Sequence, residues 1–233
     1  MRVIAAALRP KNPRPLAGPN LMDVTGYVGN LERLQHALHS REEVRDEVFD
    51  AIYPIPYRIA SEHFWTPVAT ARRAAELLVE AGACRVLDVG AGVGKFCIVG
   101  ALTTERTTFV GIEHRAHLAE VASKSARRLG AHRAEFVYGS LKQMKKEPFD
   151  AYYFFNPFAE NLNHAAHLDN SVPLSEARYH ADLRVSDSML ASAPPRTAVV
   201  TYYGRGGKMP PGFKLVHSER SCDGTLRLWT KSA

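Results

Sequence analysis

Apolar positions along this chain recur with two periods, and the changes of period mark out its elements. Val86 and Leu87 finish an apolar run, Asp88 stands at its end, and Gly90, Gly92 and Gly94 turn the chain into a helix beginning near Lys95. Glycines suit so tight a turn because it uses positive φ, and because a side chain would keep a ligand from the backbone. Thr107–Glu113 reads as a second strand. An amphipathic helix follows, with Leu118, Val121, Ala122 and Leu129 on one side and Gly130 as its stop. A third strand, Ala134–Tyr138, runs into Gly139-Ser140-Leu141. Phe149–Phe155 is a continuous apolar run, as expected of a strand buried on both faces, and it ends abruptly at Asn156-Pro157-Phe158. Residues 159–192 read as one broken helical region, better formed from Ser175 onward and stopped by Pro194-Pro195. Arg196–Tyr203 is a fifth strand, and Phe213–His217 and Thr225–Trp229, joined across Cys222-Asp223-Gly224, make a terminal hairpin.

The N-terminal part is patterned differently. Residues 1–29 carry four prolines, four basic residues and no acid before Asp23, which reads as an extended or disordered basic arm. Asn30 is placed to cap a helix carrying Leu31, Leu34 and Leu38. Ser40-Arg-Glu-Glu43 has capping-box spacing before Val44, Val48 and Ile52, and Tyr53-Pro-Ile-Pro-Tyr57 then breaks the helix. Residues 30–60 therefore read as a helical cap that either shapes a substrate pocket or simply packs. Thr66 as N-cap with Pro67 at the first helical position opens another helix, with Val68, Ala71, Ala75 and Leu78 on one face and Gly82 as its stop.

At 233 residues, 45% hydrophobic and 23% charged, the composition is that of a soluble globular domain with an appendage. No apolar run reaches the ~20 residues of a membrane helix, and the start of the chain does not make a persuasive signal peptide. Cys84, Cys97 and Cys222 have no metal-like spacing, and their odd number argues against a disulfide framework; a cytoplasmic location is expected. The net charge of +6 mildly favours an acidic partner. Between Val121 and Lys146 stand seven basic residues (Lys124, Arg127, Arg128, Arg133, Lys142, Lys145, Lys146) against the single acid Glu135. That stretch is either a solvated helix face with its loop or a nucleic-acid footprint.

The spacing of Gly90-Ala91-Gly92-Val93-Gly94-Lys95-Phe96 is not the dinucleotide G-x-G-x-x-G, because Lys95 occupies the third glycine's place. Preceded by Asp88, it resembles motif I of the class I S-adenosylmethionine (SAM)-dependent methyltransferases. Glu113, 23 residues beyond Gly90, stands where an acid accepts hydrogen bonds from ribose hydroxyls. Strands alternating with helices and closed by a hairpin are that family's order. The resemblance, covering roughly Phe64 to Thr230, implies an α/β fold: a doubly wound, seven-stranded, mostly parallel sheet with the last strand antiparallel. Residues 61–233 would be the SAM-dependent domain. It implies SAM contacts from Thr66, Asp88, Gly90, Ala91, Gly92, Gly94, Lys95, Phe96, Glu113, His114, Ser140, Leu141 and Asn156. Thr66 would touch the cofactor's carboxylate end. Ser140 departs from the acid that reaches the adenine amino group in many members.

Asn156-Pro157-Phe158 resembles the Asp/Asn-Pro-Pro-aromatic motif of methyltransferases acting on amino or amide nitrogens, with one proline missing. The resemblance implies that the Asn156 side-chain oxygen and the Pro157 carbonyl accept the two N–H bonds of a target NH₂, and that Phe158 stacks on it. A turn ending a strand would look the same locally. Glu160 and Asn161 could add substrate contacts. His63, His114, His164, His167 and His180 are candidate bases without a visible orienting partner, and no spacing argues for a metal. The leading expectation is nitrogen methylation of RNA or protein; a small-molecule O- or N-methyltransferase and a non-catalytic SAM-binding module are the alternatives.

Overall fold

The protein is described by a computed structural model over residues 24–59, 61–146, 148–162 and 168–232. Most of the expected arm, His164 and His167, and the side chain of His63 lie outside the described residues. Seven strands form one sheet in the order β3-β2-β1-β4-β5-β7-β6. They are β1 (Arg85–Val89), β2 (Thr108–Glu113), β3 (Ala134–Tyr138), β4 (Ala151–Phe155), β5 (Ala198–Tyr202), β6 (Phe213–Ser221) and β7 (Gly224–Lys231). The first five are parallel, and β7 runs antiparallel to both β5 and β6. This is the doubly wound, Rossmann-like sheet expected from the alternation of elements.

Alternation along the strands divides the core into two layers. Val86 joins one apolar cluster and its neighbour Leu87 the other, so the clusters occupy opposite faces of the sheet. The first face is covered by α5 (Val68–Glu80), α6 (Lys95–Thr103) and α7 (Ala116–Arg128), and α1 (Val24–His39) packs against α6. The second is covered by α8 (Glu176–Ser192) and a 3₁₀ turn over Leu141–Lys146. Every residue of α6 is buried, as a helix enclosed between the sheet and α1 requires. Chain order leaves β1 toward β2 on one side and β4 toward β5 on the other, so the switch point lies between the adjacent ends of β1 and β4.

The cap is built differently from expectation. Its first helix begins at Val24 rather than after Asn30. Ser40 does not start a helix, because its N–H bonds back to the His36 carbonyl and Arg41 takes a left-handed φ of 58°, which ends α1. Only short helices follow: α2 (Asp46–Asp50), α3 (Ile55–Arg58) and α4 (Ser61–Phe64). Val48 is 47% exposed, and the buried side of this segment is instead Phe49, Ile52 and Tyr53. Among the described residues no helix is long and apolar enough to cross a membrane.

Candidate active site

The glycine loop leaves β1 with φ of 78° at Gly90, 56° at Gly92 and 81° at Gly94. It folds back on β2, with the Gly90 and Ala91 N–H groups donating to the Ile112 carbonyl at 3.0 and 3.1 Å. Gly94 must be glycine twice over, since a Cβ there would lie 2.4 Å from the Phe136 ring. A Cβ on Gly92 would meet nothing within 4 Å, so space is open beside the loop there. Glu113, 5% exposed at the end of β2, accepts from Gly92 N–H at 2.9 Å and Arg115 N–H at 2.8 Å. Burial raises its pKa, and those two N–H groups oppose the rise.

The second strand end meets this loop directly. An added Cβ on Gly90 would sit 2.9 Å from Pro157 Cβ, so the loop and the Asn156-Pro157 corner are packed against one another. Asn156 has a left-handed φ of 41°, and its N–H donates to the Gly204 carbonyl at 2.8 Å. Asparagine tolerates that backbone better than most residues do. Three expectations fail just beyond the corner. Phe158 is 5% exposed and packs in the second core cluster with Tyr179, so it presents no face for stacking. The shorter motif brings the aromatic ring one position early, where it points into the core. Glu160 accepts from Arg115 Nη2 at 2.6 Å, and Asn161 is buried, donating to the Phe158 carbonyl and accepting from Ser175 N–H. Both hold the chain after the corner.

Three further residues serve the core instead of the loop's open side. Thr66 does not cap α5. Its buried hydroxyl bonds to Tyr153 at 3.0 Å, while Asp46, 22 residues upstream, accepts the Val68 N–H at 2.8 Å. Phe96 stacks on Tyr153 at 3.8 Å. Lys95, whose side chain is 3% exposed, reaches into the cap and pairs with Asp46 at 2.6 Å and Asp50 at 2.7 Å. Its ammonium is thereby paired with two carboxylates.

Asp88 lies inside β1, in register with Tyr153, and accepts a weak bond from the Cys97 thiol at 3.5 Å. Burial pushes its pKa from the ordinary 3.8 to about 7, against the Cys97 bond, with the nearby Glu113 charge adding to the rise. The folded state thus holds a proton between pH about 4 and about 7 that the unfolded chain releases. This contribution to stability is complete below the unfolded value and is lost as pH rises through the folded one. Asp88→Asn is therefore expected to flatten a fall of a few kcal/mol in unfolding free energy between pH 5 and 8, read by urea melts at both pH values.

A cluster of charged residues that no local spacing groups stands beside Glu113. Arg115, nearly buried, bonds Glu160, Asp169 at 3.0 Å and the His114 ring at 3.0 Å, and Arg178 reaches the other His114 nitrogen at 3.2 Å. Burial and then these two cations bring the His114 pKa down to about 4, so the ring is neutral at physiological pH. Glu160, Asp169 and Arg178 come from chain 45 to 64 residues away from the residues they bond, so no local pattern could have revealed the group. Ser140 is exposed next to buried Leu141, with its N–H donated to Gln143 at 2.7 Å.

The described part of the basic stretch is divided between two faces, and the side chains of Lys145 and Lys146 lie outside the described residues. Residues of α7 pack on the first core and Leu141 and Met144 on the second, which places the two halves on opposite faces of the sheet. Lys124 pairs with Glu120 at 2.6 Å, Arg128 donates to the Ile52 carbonyl at 3.0 Å, and Arg133 donates to the Ala101 and Thr104 carbonyls.

Residues 80–178 match the family model of a methyltransferase domain. The matched span runs from the end of α5 into α8 and so includes the glycine loop, Glu113 and the Asn156 corner. Among curated proteins, the release factor glutamine methyltransferase of Vibrio cholerae serotype O1 is 26% identical over 144 residues. The match covers 56% of this chain and 46% of that protein, so the chain spans about half the length of the curated relative it matches. Among solved structures, a candidate O-methyltransferase from Klebsiella pneumoniae superposes with a TM-score of 0.56 at 16% identity, covering 86% of this chain and 97% of that one. TrmN from Thermus thermophilus gives 0.52 at 20% identity, covering 75% of this chain and 52% of that one. At these identities the likeness is one of fold, and the fold is the Rossmann-like one of methyltransferases.

Proposed function

We propose that this protein is a SAM-dependent methyltransferase that methylates an amino or amide nitrogen of RNA or protein. The observation that carries this reading is the packing of Gly90 against Pro157, which joins the motif I loop to the Asn156 corner at the switch point of the sheet. The residues suit such a cofactor. Open space beside Gly92 lets a ligand approach the backbone, and each Glu113 oxygen, already accepting one N–H, keeps a lone pair for a ribose hydroxyl. SAM, when bound, supplies a methyl group on a positive sulfur that needs no further activation.

What remains for the protein is placement. Asn156 Oδ1 and the Pro157 carbonyl accept the two N–H bonds of the target, which directs its lone pair along one line. Both acceptors are neutral, so neither takes the proton that the methylated nitrogen sheds; it leaves to solvent. Transfer of labelled methyl from SAM into the RNA, protein and small-molecule pools of a cell extract tests the reading. Label in RNA or protein supports it and names the polymer.

A small-molecule methyltransferase is the second reading, favoured by the division of the basic stretch between two faces of the sheet. Label confined to small molecules, with acceptor affinity unchanged by salt, would establish it, because binding to a nucleic acid weakens steeply with salt. Glu113→Ala is expected to weaken SAM binding by roughly 10- to 100-fold in calorimetry, the equivalent of about one or two charge-assisted hydrogen bonds. Unchanged affinity would remove Glu113 from the cofactor site.

A further inference from the structure

With Phe158 buried, the corner lacks the aromatic surface that its motif is expected to carry. Tyr203 occupies the neighbouring strand end. It directly follows β5, in which Tyr202 faces the first core. Regular alternation would send Tyr203 to the opposite face. Instead its φ is 55°, and its ring lies against Tyr202 at 4.8 Å and stacks on Phe155 at 5.7 Å with planes 27° apart. Phe155 is the residue immediately before Asn156. The next residue, Gly204, offers its carbonyl to Asn156 N–H at 2.8 Å, so the two strand ends are tied together. The following turn is pinned as well: Tyr179 donates to the Gly206 carbonyl, and buried Arg205 reaches Asp187 and the Lys208 carbonyl.

A bulky aromatic residue in the left-handed region is rare and persists only where its surroundings impose it. Here the surroundings hold a ring against Phe155, the residue before Asn156, with 37% of Tyr203 still exposed. Among the aromatic residues whose side chains are described, Tyr138, on the far edge strand β3, is the other one exposed to this degree. We propose that Tyr203, in place of Phe158, supplies the planar face against which the acceptor group is laid for methylation. Phe155 backs the ring and Asn156 holds the target nitrogen at its edge. The inference rests on the methyl-transfer reading of the Asn156 corner.

The test compares Tyr203→Gly, Tyr203→Phe and Tyr203→Trp with the unaltered protein, using labelled SAM and, as acceptors, total RNA and total protein from a cell extract. Stacking on an aromatic residue is worth a factor on the order of 10 to 100. Tyr203→Gly is therefore expected to lower kcat/KM for the labelled fraction by that factor, mainly through KM, with SAM affinity within about twofold. Tyr203→Phe and Tyr203→Trp are expected to stay within about threefold, since both keep a π-face. Glycine also relieves the left-handed backbone, so the melting temperature of Tyr203→Gly should be kept or raised. A ring that merely packs gives the reverse: lowered stability with KM unchanged, which would overturn the proposal. If the unaltered protein transfers no methyl, the methyl-transfer reading fails separately. Tyr203 is then followed by acetylation with N-acetylimidazole in the S-adenosylhomocysteine-loaded protein, with either fraction added. Protection supports an acceptor lying on the ring, and unchanged labelling overturns it.

Discussion

Asn156→Gly is expected to abolish most methyl transfer, by on the order of 100-fold or more, while SAM affinity stays within about threefold. The magnitude is that of removing one preorganised polar contact to a reacting group. Glycine is the informative replacement because the native φ is 41°, and alanine there would add backbone strain to the loss of the amide. The N–H bond to the Gly204 carbonyl survives in the glycine variant, so the strand ends stay tied while the acceptor oxygen disappears. Asn156→Asp keeps an oxygen of similar reach but adds charge; it is expected to fall between the two. Single-turnover transfer from labelled SAM into the acceptor fraction separates chemistry from binding. Full transfer by Asn156→Gly would show that the side chain does not hold the target, and the corner would then be only a turn. The binding-module alternative predicts no transfer by either protein, with the phenotype kept in Asn156→Ala and lost in Glu113→Ala.

Lys95→Ala is expected to destabilise the fold by about 3–5 kcal/mol, because it leaves the carboxylate of Asp50 buried without its cation. Against a total stability of about 5–15 kcal/mol this is a severe loss, on the order of 10 °C in melting temperature. Burial raises the Asp50 pKa, and Lys95 opposes that rise. Without the lysine the folded value climbs further, so the folded state holds a proton at higher pH than the unfolded chain does. The loss should accordingly be larger at pH 8 than at pH 5. Adding Asp50→Asn to Lys95→Ala is expected to recover part of the stability by removing the stranded charge. Equal losses at both pH values and no recovery would mean that the cation contributes only packing, over Phe49 and Trp65. The effect extends to the glycine loop, since Lys95 is the first residue of α6 after Gly94. Asp46 both binds this lysine and caps α5, so the N-terminal cap and the loop are secured by the same carboxylate.

Much of the architecture is legible from neighbours in sequence. Thr108–Glu113, Ala134–Tyr138 and the end of β4 at Phe155 lie where apolar runs and their stops place them, and Ser175 caps α8 as its position suggests. These features depend on contacts within a few residues, which local pattern encodes. The pairing of an acid with a glycine loop is also readable, because both sit at strand ends that any doubly wound sheet brings together. Tertiary structure alone decided where the side chains at those ends point. Ser40 had the spacing of a cap but lost its role when Arg41 turned left-handed, and Asp46 capped a helix 22 residues away. Lys95 looked like part of a ligand loop, yet its partners, Asp46 and Asp50, come from a segment folded over it. The missing proline turned Phe158 into the core, and the exposed ring at the neighbouring strand end is Tyr203, just beyond β5, which the sheet pairs with β4. The clustered basic stretch is divided because α7 and the turn after β3 pack on opposite sides of the sheet. Local sequence determines which element forms, since propensity and periodicity act over a few residues; what a side chain meets at the end of that element depends on distant chain that only the folded sheet brings near.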